Sequence, residues 1–127
     1  MNLQSIRPRV INLTFTEEHD WQYIGRAKGQ HGLFGNPILF GMPCCVCKKR
    51  HQDRTELLSC YRIYLFKRLQ DEPDYPDKVR ELAGRTLGCF CKPADCHGDI
   101  LANAVVWLHS KEGLTRFPPS PVQTAKK

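Results

Sequence analysis

The sequence lacks the features that mark membrane and secreted proteins. None of its apolar runs approaches the roughly 20 residues that a membrane-spanning helix needs. The opening residues, MNLQSIRPRVINL, contain no long apolar core and no cleavage site of a secretory signal. We therefore expect a cytoplasmic protein without a membrane partner. The chain also has no internal repeat. Residues 87–108 contain no C-x5-R loop, which argues against a cysteine phosphatase or a rhodanese site in that segment.

What is present is the composition of one globular domain with many cysteines. The chain has 127 residues, of which 41% are hydrophobic and 25% are charged, and this suits a single domain with a modest core. In a reducing cytosol its seven cysteines are expected to be thiols, metal ligands or catalytic groups rather than disulfides. The formal net charge of +6 favours an acidic partner, first of all a nucleotide or a nucleic acid.

Hydrophobic patterning predicts a small α/β domain. Strands are predicted at 10–13, 21–24 and 86–91, and the last is expected to be central because few of its residues are polar. Helices are predicted from Asp53 to about Gln70, over 76–82 and over 99–110. This alternation favours a Rossmann-like three-layer sheet with flanking helices, forming one domain over residues 1–116. The proline-rich segment 117–127 is predicted to be a flexible tail.

The first predicted helix has a clear start and a buried stripe. Asp53 is the expected N-cap, and Glu56, three residues on, completes a capping pattern. The stripe is expected to contain Leu58, Tyr61, Leu65 and Leu69. Cys60 lies beside this stripe and is interpreted as a core residue only.

Residues 87–108, LGCFCKPADCHGDILANAVVWL, contain three cysteines and a histidine between a predicted strand and a predicted helix. In open α/β sheets, ligands bind at such strand-to-helix turns, where helix N–H groups attract anions. A thiol at Cys96 beside His97 would be activated for nucleophilic chemistry. Cys89, Cys91, Cys96 and His97 also form a complete tetrahedral ligand set. A third interpretation is that Cys89 and Cys91 are small buried residues of a strand.

A second cysteine-rich segment, CCVCKKRH, spans residues 44–51 and is interpreted as an insertion. It offers Cys44 or Cys45, together with Cys47 and His51, as alternative metal ligands. Zinc bound by either cluster, or shared between the two, is therefore a candidate cofactor.

Several short motifs, taken in order, resemble one family. They are YIGR at 23–26, GNP at 35–37, Arg54 followed by YRIYL at 61–65, and LAGRTLGCFCKPADCHGDILA at 82–102. This set is similar to the DUF4326 family of small phage and bacterial proteins, over about residues 10–108. Segment 44–51 is extra to the family pattern. The matching positions are Gly25, Arg26, Gly35, Asn36, Pro37, Arg54, Tyr61, Cys89, Cys91, Pro93, Cys96, His97, Gly98 and Asp99.

The matching residues are of kinds that bind phosphate and polar heterocycles. Arg26 and Arg54 offer forked donors to phosphate oxygens, and Asn36 offers a donor and an acceptor to a base edge. Gly25, Gly35 and Gly98 are expected beside the same ligand. His97 or Asp99 would move the proton. Each residue also has a plainer role: Asn36 in a turn, Arg54 on the surface and Asp99 against the helix dipole.

These expectations lead first to an enzyme of nucleotide or nucleic-acid metabolism, resembling an N-glycosidase or transferase that cleaves or exchanges a base–sugar bond. The alternative is a zinc-stabilised, non-enzymatic module that binds nucleic acid through its positive charge. A phage- or host-directed inhibitor that acts through protein contacts is the third hypothesis.

Overall fold

A computed structural model describes residues 3–14, 16–17, 19–24, 34–35, 37–38, 41–89 and 97–119. The chain begins with a 3-10 turn, Leu3–Ile6, and the first strand, β1, is Arg9–Asn12. The remaining elements are β2 (Gln22–Tyr23), α1 (Arg54–Asp71), α2 (Tyr75–Arg80), β3 (Thr86–Cys89), α3 (His97–Leu108) and α4 (Lys111–Arg116). Among the helices described, none is both long and apolar enough to span a bilayer.

The sheet has three parallel strands in the order β1-β3-β2. Arg9 to Asn12 pair with Thr86 to Cys89, and Gln22 and Tyr23 pair with Leu87 and Gly88. The backbone N–H of Ile24 continues the second ladder and donates to the Gly88 carbonyl at 3.0 Å. The central position predicted for the third strand is confirmed. The protein is therefore a small mixed α/β domain with a three-stranded parallel sheet and flanking helices.

The core lies where α1 and α3 meet each other and the sheet. On α1 the buried side chains are Leu57, Cys60, Tyr61, Leu65 and Leu69. The stripe thus begins at Leu57 rather than at Leu58, which is only half-buried. The reason is geometric, because residues 57, 61, 65 and 69 follow a four-residue ridge along one helix face. On α3 the fully buried side chains include Leu101, Val105 and Leu108.

Several predicted boundaries move by one or two residues, and one helix was not expected. The helix α3 begins at His97, two residues before the predicted start. The helix α4 follows directly because Ser110 caps it and accepts a hydrogen bond from the Gly113 N–H. The last two residues of the predicted third strand (90–91), and most of the predicted tail (120–127), lie outside the described residues.

A buried arginine holds the C-terminal end of α3. Arg80 pairs with Asp77, with 3.2 Å between Nη1 and Oδ1, and donates from Nε to the Leu108 carbonyl at 3.1 Å. Its Nη2 also donates to the carbonyls of Gly113 and Phe117. Carbonyls at a helix end have no partners within the helix, so Arg80 satisfies them and joins α2, α3 and α4.

Candidate metal centre

The loop Gly41–Gln52 folds back on itself and is closed at its base. The Gly41 N–H donates to the His51 carbonyl at 2.9 Å, and Arg50 Nη1 donates to the Gly41 carbonyl at 2.7 Å. Pro43 and Arg50 form an antiparallel bridge. At the tip, Lys48 has a positive φ of 71°, a conformation that side chains other than glycine, Asn and Asp adopt at some cost. The tight turn brings the ends of CCVCKKRH together.

Four potential metal ligands converge beneath this loop. The sulfurs of Cys44, Cys47 and Cys60 and a ring nitrogen of His51 all lie within 4.8 Å of one another. The shortest recorded contact joins Cys47 Sγ to His51 Nε2 at 3.3 Å. Cys44 is 1% exposed, His51 4% and Cys60 8%. Buried groups of this kind, gathered in one place, are typical of a metal site rather than of a surface cluster.

Two further contacts orient the ligands. His51 Nδ1 lies 3.4 Å from Glu56 Oε1 in the first turn of α1. Because a carboxylate only accepts, Nδ1 donates to Glu56, and Nε2 is the nitrogen that faces the sulfurs and is placed to bind a metal ion. The Val46 N–H points to Cys44 Sγ at 3.3 Å and stabilises negative charge on that sulfur. Glu56, expected to complete the helix cap, thus serves His51 instead, while Asp53 accepts from the Thr55 N–H as predicted.

The thiols of the cluster differ in acidity. Burial by itself raises the pKa of Cys44, but the backbone N–H groups of Cys47 and Val46 and the His51 ring outweigh it and lower that pKa to about 6. Burial raises the pKa of Cys60, and so do hydrogen bonds and charge from Cys44 and Cys47. Cys44 is therefore an anionic sulfur near neutral pH, and Cys60 is a thiol that donates towards it. A metal ion would replace the proton of Cys60 and release it.

The donor set suits a tetrahedral metal ion. Zinc–sulfur bonds of about 2.3 Å place the ligand atoms of a tetrahedral site roughly 3.8 Å apart. The four atoms here lie within 4.8 Å of each other, so only a small contraction around an ion is required. The spacing C-x2-C-x3-H-x8-C supplies three sulfurs and one nitrogen, which is one of the combinations found in structural zinc sites. The cluster can therefore hold a metal ion.

The sequence identified three of these four ligands. Cys44, Cys47 and His51 were proposed from segment 44–51, and the structure brings them together. Cys45, the other candidate there, is exposed and lies outside the group. Cys60 lies in the core as the sequence predicts, and its sulfur also completes the candidate ligand group. The available signal was a cysteine at a buried helix position nine residues beyond His51, which has meaning only once the loop folds over α1.

The other predicted cluster lies at the junction of β3 and α3. Cys91 and Cys96 are outside the described residues, and the structure describes only the backbone of Cys89. His97 is 6% exposed, and its Nε2 donates to the Ile24 carbonyl at 2.7 Å. Its ring meets the Tyr61 ring edge-on, with 5.2 Å between centroids. This histidine therefore joins the start of α3 to the end of β2 and to α1.

Gly98 and Asp99, which follow His97 in α3, contact different parts of the protein. A Cβ on Gly98 would lie 2.7 Å from Ile24 Cδ1 and 2.9 Å from Val10 Cγ1, so glycine lets α3 start in contact with the sheet. Asp99 is half-buried and lines a shallow groove beside Thr55, Ser59 and Arg62. His97 contacts Tyr61 and the Ile24 carbonyl, and its role as an acid or base stays a prediction.

The remaining predicted binding residues are only partly described. Gly25, Arg26 and Asn36 lie outside the described residues. Gly35 is buried, and Arg54 is half-buried as the first residue of α1. Their proposed contacts with phosphate and base stay predictions.

Comparisons with known proteins place the chain in a family. A protein of Enterobacteria phage T4, described as an uncharacterized 12.4 kDa protein in the nrdA-td intergenic region, is 33% identical over 52 residues. That stretch covers 41% of this chain and 48% of the phage protein, about half the length of that relative. No solved structure matches the chain. The model of the family described as "Domain of unknown function (DUF4326)" matches residues 12–107, most of the sequence, and the chain therefore belongs to the DUF4326 family.

Proposed function

We propose that this protein is a zinc-stabilised module that binds a nucleotide or nucleic acid. The observation that carries the proposal is the convergence of three sulfurs and one imidazole nitrogen within 4.8 Å, with Glu56 oriented towards His51 from outside. Thiolate and imidazole donors together select zinc over hard ions such as magnesium or calcium.

The geometry favours a structural role for this zinc. Catalytic zinc sites keep one position open for water, whereas structural sites use four protein ligands. Here the protein supplies all four, three of them from a short loop and the fourth from the middle of α1. The ion would cross-link the loop Gly41–Gln52 to the longest described helix and would exclude water from the two sulfurs of Cys44 and Cys60.

Charge supports an anionic partner. The formal net charge is +6 and the isoelectric point is about 9.0, values that attract nucleic acid and phosphorylated small molecules. A three-layer, Rossmann-like arrangement accords with the parallel order β1-β3-β2 and the helices around it, and folds of that class bind nucleotides at their carboxyl strand ends. A thiolate centre also needs reducing conditions to keep its sulfurs available, which supports a cytoplasmic location.

An enzyme acting on the base–sugar bond is the second candidate. The observation in its favour is that Asp99 lines an open groove together with Thr55, Ser59 and Arg62, so a ligand there would reach a carboxylate. In that case, Asp99→Asn would abolish turnover and leave ligand affinity largely intact. A binding module shows no turnover to abolish.

The proposal is tested by metal analysis and by salt-dependent binding on the untagged protein. We expect about one zinc ion per chain, removed by a strong chelator with a large drop in melting temperature. Affinity for short DNA and RNA strands should fall steeply as salt rises, because bound counterions are released. The zinc centre would be overturned if the purified protein contained no metal and a strong chelator left its melting temperature unchanged. The absence of binding to any nucleotide or strand at low salt would overturn the ligand class.

A further inference from the structure

A surface groove between α1 and α3 combines an apolar part with a polar part. The apolar part has a volume of about 420 Å³ and is lined mainly by Leu65, Phe66, Leu69 and Trp107. The polar part, about 250 Å³, is lined by Thr55, Ser59 and Asp99. Arg62, Ile100 and Asn103 line both parts, so the two form one continuous groove.

The direction of the groove follows the two helices. Its polar end lies beside the first turns of α1 and α3, and its apolar end lies near their last turns. The N-terminal ends of both helices carry partial positive charge. Arg62 stands where the two parts meet, exposed, and it forms no hydrogen bond or ion pair with any other described residue. An anion bound there would gain a guanidinium fork that the fold has not already used.

Aromatic rings form one side of the apolar end. Phe66 and Trp107 have centroids 6.3 Å apart, and Phe117 closes the cluster at 5.9 and 6.0 Å from them. Both Phe66 and Trp107 are half-buried, so part of each ring faces the groove. The guanidinium of Arg116 lies 5.0 Å from the centre of the Phe66 ring. A flat aromatic ligand can therefore stack here in a pocket already bordered by positive charge.

Acidic groups also lie near the groove. Asp99 lies at the polar end, and Glu112 accepts from Trp107 Nε1 at 3.1 Å. Arg62 lines both parts of the groove, and two more guanidinium groups contact lining residues: that of Arg116 lies over the Phe66 ring, and that of Arg7 donates to Asn103 Oδ1. Positive charge thus prevails over the two carboxylates around the groove.

We infer that this groove binds one nucleotide unit, with the base on Trp107 and Phe66 and the phosphate on Arg62. The inference rests on the proposed function, and it assigns that function to a surface away from the metal centre. A volume of a few hundred cubic ångströms suits one such unit, whether free or part of a single strand. The ligand is thus an aromatic base joined through a sugar to a phosphate.

The test uses Trp107 as the reporter. The chain has two tryptophans, so Trp21→Phe leaves Trp107 alone to report on stacking. In that background, adenosine monophosphate and a short oligothymidylate are titrated separately. We expect one or both to quench the fluorescence, and Arg62→Glu to weaken that ligand about tenfold or more. Lys78→Glu makes the same change of charge on an exposed residue of α2 and serves as the matched control.

Each outcome has a distinct meaning. The groove is supported if Arg62→Glu weakens binding more than Lys78→Glu does. Whichever of the two ligands binds more tightly shows whether a free nucleotide or a single strand is preferred. Binding equally weakened by both variants, or without quenching of Trp107, overturns the groove and leaves the proposed function intact. No binding by the wild type overturns both. Self-association that Trp107→Leu disrupts would assign the groove to a second copy of the chain.

Discussion

The protein contains two cysteine- and histidine-rich regions of similar composition, and their histidines have different partners. In the loop Gly41–Gln52, His51 turns one ring nitrogen to three sulfurs and the other to Glu56. At the junction of β3 and α3, His97 is just as buried, but its Nε2 is bonded to the Ile24 carbonyl. Two equally buried histidines thus have different partners, so the partner of each ring nitrogen must be considered beside burial and residue type when a candidate metal ligand is judged.

The largest expected effect comes from removing the ligand that α1 supplies. Cys60→Ser should eliminate bound zinc and lower the free energy of unfolding by more than about 4 kcal/mol, because the cross-link between loop and helix is lost. Metal analysis and urea denaturation measure the two effects. The matched control is Cys45→Ser, an exposed cysteine of the same loop, which should keep its zinc and change stability by less than about 0.5 kcal/mol. If both variants kept their zinc, or both lost it, Cys60 would not differ from Cys45 as a metal ligand.

The second prediction concerns the histidine of the other region. His97→Ala should destabilise the protein by about 2–4 kcal/mol, since the Ile24 carbonyl loses its donor and the Tyr61 ring loses a packing partner. Zinc content should remain that of the wild type. His97→Gln, whose amide can still donate to the carbonyl, should recover part of the loss. A folded His97 variant without zinc would mean that the two regions share their metal.

The third prediction separates the carboxylate behind His51 from the ligands themselves. Glu56→Gln should keep the fold and weaken zinc binding about 10- to 100-fold, because the ring loses the acceptor that fixes its orientation. Competition with a chromogenic chelator gives the affinity. Denaturation of the metal-free forms isolates the smaller effect of losing a negative charge in the first turn of α1. An unchanged affinity would show that Glu56 is only a surface charge.

The smallest effect is expected at the tip of the loop, where a substitution should raise the stability of the protein rather than lower it. Lys48→Gly should stabilise the zinc-bound protein by about 0.5 kcal/mol, because glycine adopts the positive φ of 71° at Lys48 without strain. Lys49→Gly is the control, and it should be neutral or mildly destabilising because the structure records no positive φ there. Differential scanning calorimetry can resolve the two. Destabilisation by both changes would mean that the lysine side chain itself supports the turn.

Local signals in the sequence predicted more of the fold than of the site. The Asp53 cap, the stripe through Tyr61, Leu65 and Leu69, and the central third strand depend on neighbouring residues, and they were read correctly. The helix α4 was missed because it is only six residues long and contains Gly113, which weakens any helical pattern. The sequence pattern predicts that a helix ends at Ser110, whereas Ser110 caps the next helix.

The site was harder to predict because it depends on contacts between distant parts of the chain. The spacing of Cys44, Cys47 and His51 is visible in one loop, but the role of Cys60 follows from where that loop lies against α1. From the sequence, Glu56 suits a helix-capping role as well as it suits a hydrogen bond to His51. Only the folded structure distinguishes these two roles. Zinc as the ion, and a nucleotide as the ligand, are proposals that rest on the donor set and on charge.

The placement of Cys60 also constrains how such a site can arise or disappear. Without the loop, a buried thiol among leucines gains nothing over an apolar side chain of the same size. Without that thiol, the loop would hold an incomplete set of three donors and a carboxylate aimed at them. Loss of one member thus removes the advantage of keeping the others. Cys44, Cys47, His51 and Cys60 should therefore be inherited as a unit, either all kept or all replaced in any related chain.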